Sequence, residues 1–326
     1  MEKDIIEKIR ESGLRGRGGG NFEAWLKWDI ASKQNGRKYV ICNGADGEIE
    51  SSKDGYIMDN YLDDVVFGIK SAVDFLNAEK AYFYLRSDYF EKYKERLSKI
   101  IDKDKIEIFK KPDVGYIGGE ETVICEVIEG GGAFPRSKPP FLTKDGLYGM
   151  PTLINNVETF YCISKILKGE YKNKRFFSVI GNATKKGVYE LPCDLTIEDV
   201  LRKTGNYPDF KFFVRIGGKF GSFYFPKELS INFSGLGVIE IFDQERVDNF
   251  ELVQEMAEFF HKGNCDKCTP CREGFFEIYE MARKKEFDRE KINGILFSLE
   301  NSSFCYFGKG AANSLNSFLK KIMKNG

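Results

Sequence analysis

The chain has 326 residues, and its 50 Lys and Arg balance its 50 Asp and Glu, so the formal net charge is zero. Such a chain has no global basic field that would attract nucleic acid or an anionic membrane surface. The sequence has eight cysteines but one histidine, His261, which argues against His-rich metal sites and against Ser-His-Asp or Cys-His catalysis.

The first ten residues are predicted to form a short amphipathic helix, and they lack the apolar core of a signal peptide. No apolar run approaches the roughly 18 residues that a membrane-spanning helix needs. We therefore expect a soluble, cytoplasmic protein that does not insert into a membrane. In that reducing compartment, paired thiols serve as metal or cluster ligands more often than as disulfides.

Three regions of different composition follow one another. Residues 1–170 alternate strand signals, at Lys38–Cys42 and Ala81–Arg86, with helical signals such as Asp63–Leu76, which favours an α/β domain with a partly parallel sheet. Residues 171–246 contain β-rich runs around one helical stretch, as in a small β-grasp domain. Residues 247–326 carry apolar residues at helical spacing and predict a helical domain.

The last region contains a cysteine motif. Cys265, Cys268 and Cys271 form C-x-x-C-x-x-C, and Cys305 follows later in the chain. Three thiolates at this spacing can bind three irons of a cubane while a distant cysteine binds the fourth, which favours a [4Fe–4S] cluster. Structural zinc is the closest alternative, but it more usually takes two C-x-x-C pairs, and Cys305 has no such partner. The other four cysteines are predicted to be small buried apolar residues.

The first region contains a glycine-rich loop, Gly13–Gly20, with an incomplete dinucleotide-binding pattern around Gly16 and Gly18. Glycines let a backbone approach phosphate closely, although such clusters are also ordinary turns. Further along, Glu120 and Glu121 open a predicted helix. One interpretation is that they cap the helix, because the helix dipole favours acidic residues at its N-terminus. The other is that their carboxylates face a ribose, an amide or a water.

Two more segments of the first region have possible binding roles. Pro135–Phe141 is a rigid proline segment that holds Lys138 and Phe141, and Leu153–Thr159 contains the adjacent Asn155 and Asn156. Side chains of these types suit recognition of the edge of a heterocycle, although each segment alone is also typical of a loop or a helix cap.

These motifs, in this order, resemble those of the flavoprotein subunit of respiratory NADH dehydrogenase and of its relatives in NAD-linked hydrogenases and formate dehydrogenases. The resemblance covers nearly the whole chain. It rests on Gly13–Lys27, Cys42–Asp54, Gly115–Thr122, Pro135–Glu158 and the cysteine motif with Cys305. It implies a Rossmann-like FMN-binding domain, a β-grasp domain and a helical domain with a [4Fe–4S] cluster. It also implies NAD(H) or NADP(H) as substrate, an iron–sulfur partner subunit of thioredoxin-like [2Fe–2S] or ferredoxin-like type, and a hydrogenase or dehydrogenase subunit.

The resemblance also implies residue roles. The positions that would contact FMN are Gly16, Gly18, Lys27, Asn43, Tyr116, Gly119, Asn155 and Asn156. The positions that would line the NADH site are Phe22, Glu48, Glu121, Lys138 and Phe141, with Glu120 as a further cofactor-binding residue and Glu48 and Glu121 as the candidate catalytic carboxylates. Hydride would pass between the nicotinamide and the flavin, and the protein would supply orientation and electrostatics.

The sequence departs from this family in its acidic segment. The usual Asn-x-Asp-Glu-x-Glu-Pro-Gly is here Asn43-Gly44-Ala45-Asp46-Gly47-Glu48-Ile49-Glu50. A side-chain hydrogen bond from position 45 to the flavin is therefore lost. An electron-relay or scaffold subunit is the alternative that this change permits. Such a subunit keeps the cluster but no longer binds NADH, with or without loss of the flavin.

Overall fold

The computed structural model describes residues 2–48, 52–233 and 235–323. Contacts between Cα atoms divide the described residues into two compact units. The first unit runs up to Val114 and continues over Gly118–Phe176. The second unit contains Gly115–Ile117 and the described chain from Phe177 onward.

The first unit is built on a parallel sheet. Its strands are β1 (Tyr39–Gly44), β2 (Lys80–Leu85), β3 (Ile106–Lys110) and β4 (Thr152–Asn156). They lie in the order β3-β2-β1-β4, and β1 pairs in parallel with both β2 and β4. The strands are rich in buried apolar and aromatic residues, as expected of a parallel sheet that is covered on both faces. This arrangement confirms the predicted α/β fold.

Helices connect these strands. They are α1 (Glu2–Glu11), α2 (Ala24–Ser32), α3 (Lys53–Leu76), α4 (Ser87–Ile100), α5 (Glu121–Ile128) and α6 (Val157–Leu167). The prediction for α3 was wrong at its start, because the helix begins at Lys53 rather than Asp63. The added part has non-helical backbone angles at Tyr61, and it buries Ile57, Met58 and Leu62. Packing of these side chains therefore extends the helix beyond the region of clear sequence signal.

Helices α3 and α6 are in close contact at Gly68, where an added Cβ would lie 2.2 Å from the carbonyl oxygen of Phe160. Gly68→Ala should therefore lower the free energy of unfolding by about 3 kcal/mol, because the clash is with backbone and cannot be relieved by a rotamer change. Denaturant unfolding followed by circular dichroism measures this change.

Gly294 is the matched control for this substitution, since it also lies within a helix but has open space around its Cα. Gly294→Ala should be neutral or stabilising by up to about 1 kcal/mol. Equal effects of the two substitutions would contradict the close approach of α3 and α6.

The second unit contains a mixed sheet of β5 (Lys174–Gly181, from Phe177 onward in this unit), β6 (Gly187–Pro192), β7 (Phe212–Ile216), β8 (Ser222–Tyr224) and β9 (Val238–Asp243). The strand order is β6-β5-β9-β7-β8, with β5 and β9 parallel and β7 antiparallel to both of its neighbours. Helix α7 (Ile197–Lys203) buries Ile197, Val200 and Leu201 against one face of the sheet. A single helix packed across such a sheet is the predicted β-grasp arrangement.

The chain then forms the helices α8 (Asn249–Gly263), α9 (Thr269–Lys284), α10 (Arg289–Ser302) and α11 (Tyr306–Lys321). Each packs against the next, and α11 also contacts α8. This confirms the predicted helical C-terminus. Of the four cysteines predicted to be buried, Cys42, Cys125 and Cys162 are buried, whereas Cys193 is half-buried beside a turn. Among the described residues, no helix is both long and apolar enough to cross a membrane.

Candidate functional site

The first unit has a switch point in its sheet. The chain leaves β1 for β2 on one side and later returns to β4 on the other side. Ligands of open α/β sheets bind outside the carboxyl ends of strands at such a point. The register pairs Cys42 with Asn155 and Asn43 with Asn156, so the predicted asparagines lie together at these carboxyl ends.

The asparagine amides at the switch point hold backbone and side chains in place. Asn43 donates from Nδ2 to the Gly119 carbonyl at 3.0 Å and accepts at Oδ1 from the Ala45 N–H at 3.1 Å. Asn156 caps α6 by accepting from the Glu158 N–H, and it donates to Asp54 Oδ2 at 2.6 Å. These contacts bring together three of the residues predicted to bind FMN.

Asn155 has a different environment from the other two asparagines. In the amide orientation that satisfies its neighbours, its oxygen accepts from Trp28 Nε1 at 3.0 Å and its nitrogen donates to the Ile154 carbonyl. Trp28 is fully buried on α2. Asn155 therefore ties α2 to the end of β4.

The glycine-rich loop lies against this end of the sheet. The loop closes on itself through the Gly16 N–H, which donates to the Phe22 carbonyl at 2.8 Å. A Cβ at Gly18 would lie 3.0 Å from Asn156 Cβ, so the absence of a side chain permits this contact. At Gly19, whose φ is +104°, and at Gly20, an added Cβ would meet nothing within 4 Å. The loop thus has open space beside its backbone, as a phosphate-binding glycine loop requires.

A buried ionic network lies at the N-termini of α3 and α6, and sequence reasoning did not assign it a role. Lys53, whose side chain is 1% exposed, lies 2.6 Å from Asp54 Oδ1 and 2.9 Å from Glu158 Oε2. Its Nζ also donates to Asn156 Oδ1 at 3.4 Å. Burial alone would lower the pKa of Lys53, but the carboxylates of Asp54 and Glu158 outweigh burial and hold that pKa above its ordinary value.

Glu158 is the second centre of this network. Burial opposes its ionisation, yet the charges of Lys53, Arg175 and Arg17 hold the pKa of this carboxyl below its usual range. Arg17 belongs to the glycine-rich loop, and its backbone N–H donates to Thr159 Oγ1 at 3.0 Å. The network therefore links the glycine loop, α3 and α6.

The acidic segment follows β1. Asp46 accepts from Tyr89 OH at 2.9 Å through its side chain and from Arg86 Nη1 at 2.6 Å through its carbonyl. Glu48 is buried, at 7% exposure. Ile49 and Glu50, which belong to the same motif, lie outside the described residues. Burial and the charge of Asp54 raise the pKa of Asp46 to about 6.

The raised pKa of Asp46 predicts a pH-dependent stability change. The folded chain keeps this proton up to about pH 6, whereas the unfolded chain loses it near its ordinary value of 3.8. Ionised Asp46 therefore costs stability as pH rises through this window, by at most about 3 kcal/mol. Asp46→Asn should raise the melting temperature at pH 8 and have little effect at pH 4, as measured by thermal unfolding.

Asp59 is the matched control, because it also accepts a tyrosine hydrogen bond, from Tyr93 OH at 2.8 Å. Burial opposes its ionisation, but hydrogen bonds from Lys92 and Tyr93 hold its pKa below the ordinary value. Asp59→Asn should therefore lower the melting temperature at pH 8. The same sign for both substitutions at pH 8 would contradict the assignment.

Two lysine–glutamate pairs lie at the N-terminus of α5. Lys27 Nζ is 2.6 Å from Glu121 Oε1, and Lys138 Nζ is 2.7 Å from Glu120 Oε1. Glu120 also caps the helix, since its Oε2 accepts from the Thr122 and Val123 N–H groups. The capping interpretation therefore holds for Glu120. Burial opposes its charge, but Lys138 and the cap hold the pKa of Glu120 below its usual range.

The aromatic candidates differ in environment. Phe22 and Phe141 are exposed, Phe141 at 61%, so both rings present faces to solvent. Tyr116 belongs to the second unit, where it packs against Phe220 and Phe259 with ring centroids 5.0 and 5.4 Å away. The Gly115–Thr122 motif is therefore divided, since Gly118 onward belongs to the first unit.

The cysteines of the second unit lie at two helix N-termini. Cys265 and Cys268 precede α9, and Cys271 lies in its first turn. Cys305 is the N-cap of α11. Helix N-termini carry partial positive charge, which favours thiolates and an anionic cluster. The Phe304 N–H already donates to Cys268 Sγ at 3.3 Å, a contact of the kind that tunes cluster potentials.

The four thiols interact electrostatically with one another. Burial raises the pKa of Cys271 to about 12, and the charges of Cys268, Cys305 and Cys265 add to this rise. Within the described part of the chain, no group of three or more His, Cys, Asp or Glu side chains is arranged to hold a metal ion. Cluster binding would have to displace the thiol protons. The donor set of four thiols is the one that a [4Fe–4S] cluster uses.

Comparison with known proteins gives matches in both units. A family model described as "Nuo51 FMN-binding domain" matches residues 9–165, and one described as "NADH-ubiquinone oxidoreductase-F iron-sulfur binding region" matches residues 251–325. The NADH-quinone oxidoreductase F 2 subunit of Rhizobium meliloti (strain 1021) is 30% identical over 97% of this chain and 86% of the relative. The chain belongs to this family of FMN- and iron–sulfur-binding NADH-quinone oxidoreductase subunits.

Other members and structures are similar. The NADH-quinone oxidoreductase F subunit of Aquifex aeolicus (strain VF5) is 30% identical over 98% of this chain and 84% of its own length. The crystal structure of an NAD⁺-reducing [NiFe]-hydrogenase in the H₂-reduced state aligns with a TM-score of 0.89 and 28% identity. That alignment covers 99% of this chain and 62% of the hydrogenase chain.

These matches place an FMN-binding domain and a 4Fe–4S binding region in this member of the family, as predicted. The glycine loop, the asparagines and the α5 pairs lie within the first match, and the four cysteines lie within the second. The open backbone at Gly19 and Gly20 fits a flavin phosphate. Sequence reasoning missed the buried contact between Lys53 and Glu158, for which the adjacent charges of Lys53 and Asp54 were the available signal.

Proposed function

We propose that this chain is the flavin- and iron–sulfur-containing electron-transfer subunit of a multi-subunit oxidoreductase, with NAD(P)H as its hydride donor or NAD(P)⁺ as its acceptor. FMN, when bound, supplies the exchange between two-electron and one-electron chemistry, and the cluster carries single electrons. One observation carries the proposal. The same chain has an amide-lined switch point in a parallel sheet and four thiols at two helix N-termini.

The flavin site is formed by the carboxyl ends of β1 and β4 and by the glycine loop. Its residues are Gly16, Gly18, Lys27, Asn43, Gly119, Asn155 and Asn156, and the resemblance adds Tyr116. Because the Asn156 amide donates to the Asn43 carbonyl and the Asn43 amide donates to the Gly119 carbonyl, the backbone at this end of the sheet is preorganised. The glycine loop supplies backbone N–H groups for the phosphate.

The nucleotide site lies at the N-terminus of α5. Its residues are Phe22, Glu48, Glu120, Glu121, Lys138 and Phe141, with Glu48 and Glu121 as the carboxylates nearest the chemistry. The exposed rings of Phe22 and Phe141 provide stacking faces, and Lys138 provides a positive charge for phosphate. No proton transfer by a side chain is required, which agrees with the single histidine.

The cluster site consists of Cys265, Cys268, Cys271 and Cys305.

We place domain boundaries at residues 170 and 246. We also assign the chain to the cytoplasm and to an assembly with an iron–sulfur partner subunit, thioredoxin-like or ferredoxin-like, and a hydrogenase or dehydrogenase subunit. The relatives' names support an assembly, because they are themselves subunits.

A second candidate function is an electron-relay subunit that does not bind NADH. The observation that favours it is the acidic segment, where Ala45 replaces the family's Asp and Asp46 is engaged by Tyr89. A change of this kind removes polar contacts that a nucleotide site uses.

An anaerobic absorption titration separates the two functions. The purified full chain should show a flavin band above broad iron–sulfur absorbance, and NADH should bleach both. If dithionite bleaches the protein but NADH and NADPH do not, the electron-relay function is correct. A colourless chain that contains zinc would exclude both redox functions.

A further inference from the structure

The chain between α5 and β4, residues 130–150, is a long loop that we call the proline loop. It has little regular structure apart from a short 3₁₀ turn at Leu147–Gly149. It carries Lys138 and Phe141 of the proposed nucleotide site. A loop of this length needs anchors if its side chains are to present a fixed geometry to a ligand.

Arg136 is such an anchor. Its Nε donates to Glu126 Oε1 at 2.6 Å and its Nη2 donates to Glu129 Oε2 at 2.7 Å, so the guanidinium lies along α5. Its Nη1 donates at 2.8 Å to the Gly146 carbonyl. Gly146 lies in the part of the loop that leads back to β4, which we call the returning arm; the part that leaves α5 is the outgoing arm. One planar group thus ties the outgoing arm, the returning arm and the helix together.

Glu129 strengthens this arrangement. Its second oxygen accepts from the Tyr148 N–H at 2.6 Å, so the returning arm is held at two points, at Gly146 by Arg136 and at Tyr148 by Glu129. Lys138 and Phe141 lie in the chain between these anchors. The Arg136 contacts therefore restrain the chain on both sides of these two residues, and Arg136 itself is half-buried.

A second line of contacts leads from Arg136 to Lys138. The Arg136 backbone N–H donates to Thr122 Oγ1 at 2.9 Å, and Thr122 in turn donates its hydroxyl to Glu120. Glu120 then accepts from Lys138 Nζ. The N-cap of α5, the lysine and the arginine thus form one continuous set of hydrogen bonds.

We propose that Arg136 is a positioning residue for the nicotinamide dinucleotide, which acts by fixing the proline loop so that Lys138 and Phe141 meet the ligand. The inference rests on the proposed function. Lysine cannot replace the arginine here, because a single ammonium group cannot bridge Glu126, Glu129 and the Gly146 carbonyl with the geometry of a planar fork.

The test is a double-mutant cycle of Arg136→Lys and Lys138→Ala, with NADH oxidation by ferricyanide measured on the anaerobically purified full chain. Each single variant should raise KM for NADH about tenfold, with kcat within about twofold and FMN content unchanged. Because Arg136 acts through the loop that carries both Lys138 and Phe141, the double variant should raise KM by less than the product of the two single effects. Arg202→Lys, at an exposed ion pair with Glu198, is the control and should change nothing.

Hydrogen exchange gives a readout that does not depend on NADH. Residues 130–150 should exchange faster in Arg136→Lys, while the β-grasp strands should not change. An unchanged KM, multiplicative effects in the double variant, or unchanged exchange in the loop would overturn the inference. If NADH fails to reduce the wild-type chain, the proposed function is wrong and the inference is wrong with it. If NADH reduces the wild-type chain but the variants do not show the expected change in KM or exchange, only the inference is wrong.

Discussion

Cys271→Ser should remove the iron–sulfur signal and leave the flavin bound. Cys271 lies in the first turn of α9, is buried, and is surrounded electrostatically by the other three thiols of the motif. Its loss leaves three thiolates, and serine offers a harder, less acidic ligand. Iron content and the electron paramagnetic resonance signal of the dithionite-reduced protein should fall to background.

Two further variants make this result interpretable. Cys271→Ala offers no oxygen ligand, so it should show the same loss even if serine partly replaces the thiolate. Cys193→Ser, at a half-buried cysteine outside the motif, should keep the full iron content. Retained iron in Cys271→Ala would exclude the proposed ligand set. Loss of FMN together with iron would show that the two cofactor regions do not fold independently.

Replacing Lys53 by Met should lower the free energy of unfolding more than the substitutions of Gly68 and Asp46, and it should also release FMN. The substitution removes the cation that contacts both Asp54 and Glu158, and Glu158 is fully buried. Breaking a buried ion pair in this way costs about 3–5 kcal/mol. Urea unfolding measures the loss, and the bound flavin is measured from absorbance after gel filtration.

A charge-matched variant shows whether FMN is lost because the Lys53 contacts are missing or because the chain is less stable. Lys53→Met combined with Glu158→Gln removes one cation and one anion, so part of the lost stability should return. FMN affinity should stay low, because Asn156 beside Gly18 still lacks its Lys53 contact. The control is Lys80→Met, which breaks a partly exposed pair with Glu107 and should cost at most about 1 kcal/mol. Full FMN affinity in the double variant would contradict a role for Lys53 at the site.

The sequence predicted features that depend on local spacing. The cysteine motif, the alternation of strands and helices and the capping alternative for Glu120 all depend on residues a few positions apart, and the structure or the family matches agree with them. The site roles of the individual residues remain predictions.

The buried network could not be predicted in the same way. Lys53 and Glu158 lie far apart in sequence and meet because α3 and α6 pack together. A charged pair at the start of a helix is normally solvated, so its burial is a tertiary effect. The Arg136 contacts could not be predicted either, although their partners are near in sequence, because they depend on how the proline loop folds back on α5.

The proposed function requires that electrons from a nicotinamide nucleotide reach the cluster through this chain. The decisive measurement is electron paramagnetic resonance of the anaerobic wild-type chain after addition of NADH, compared with the same sample reduced by dithionite. NADH should produce the reduced [4Fe–4S] signal in the wild type and no signal in Cys271→Ala. A cluster that dithionite reduces but neither NADH nor NADPH reduces, in a chain with full FMN content, would contradict the proposed function.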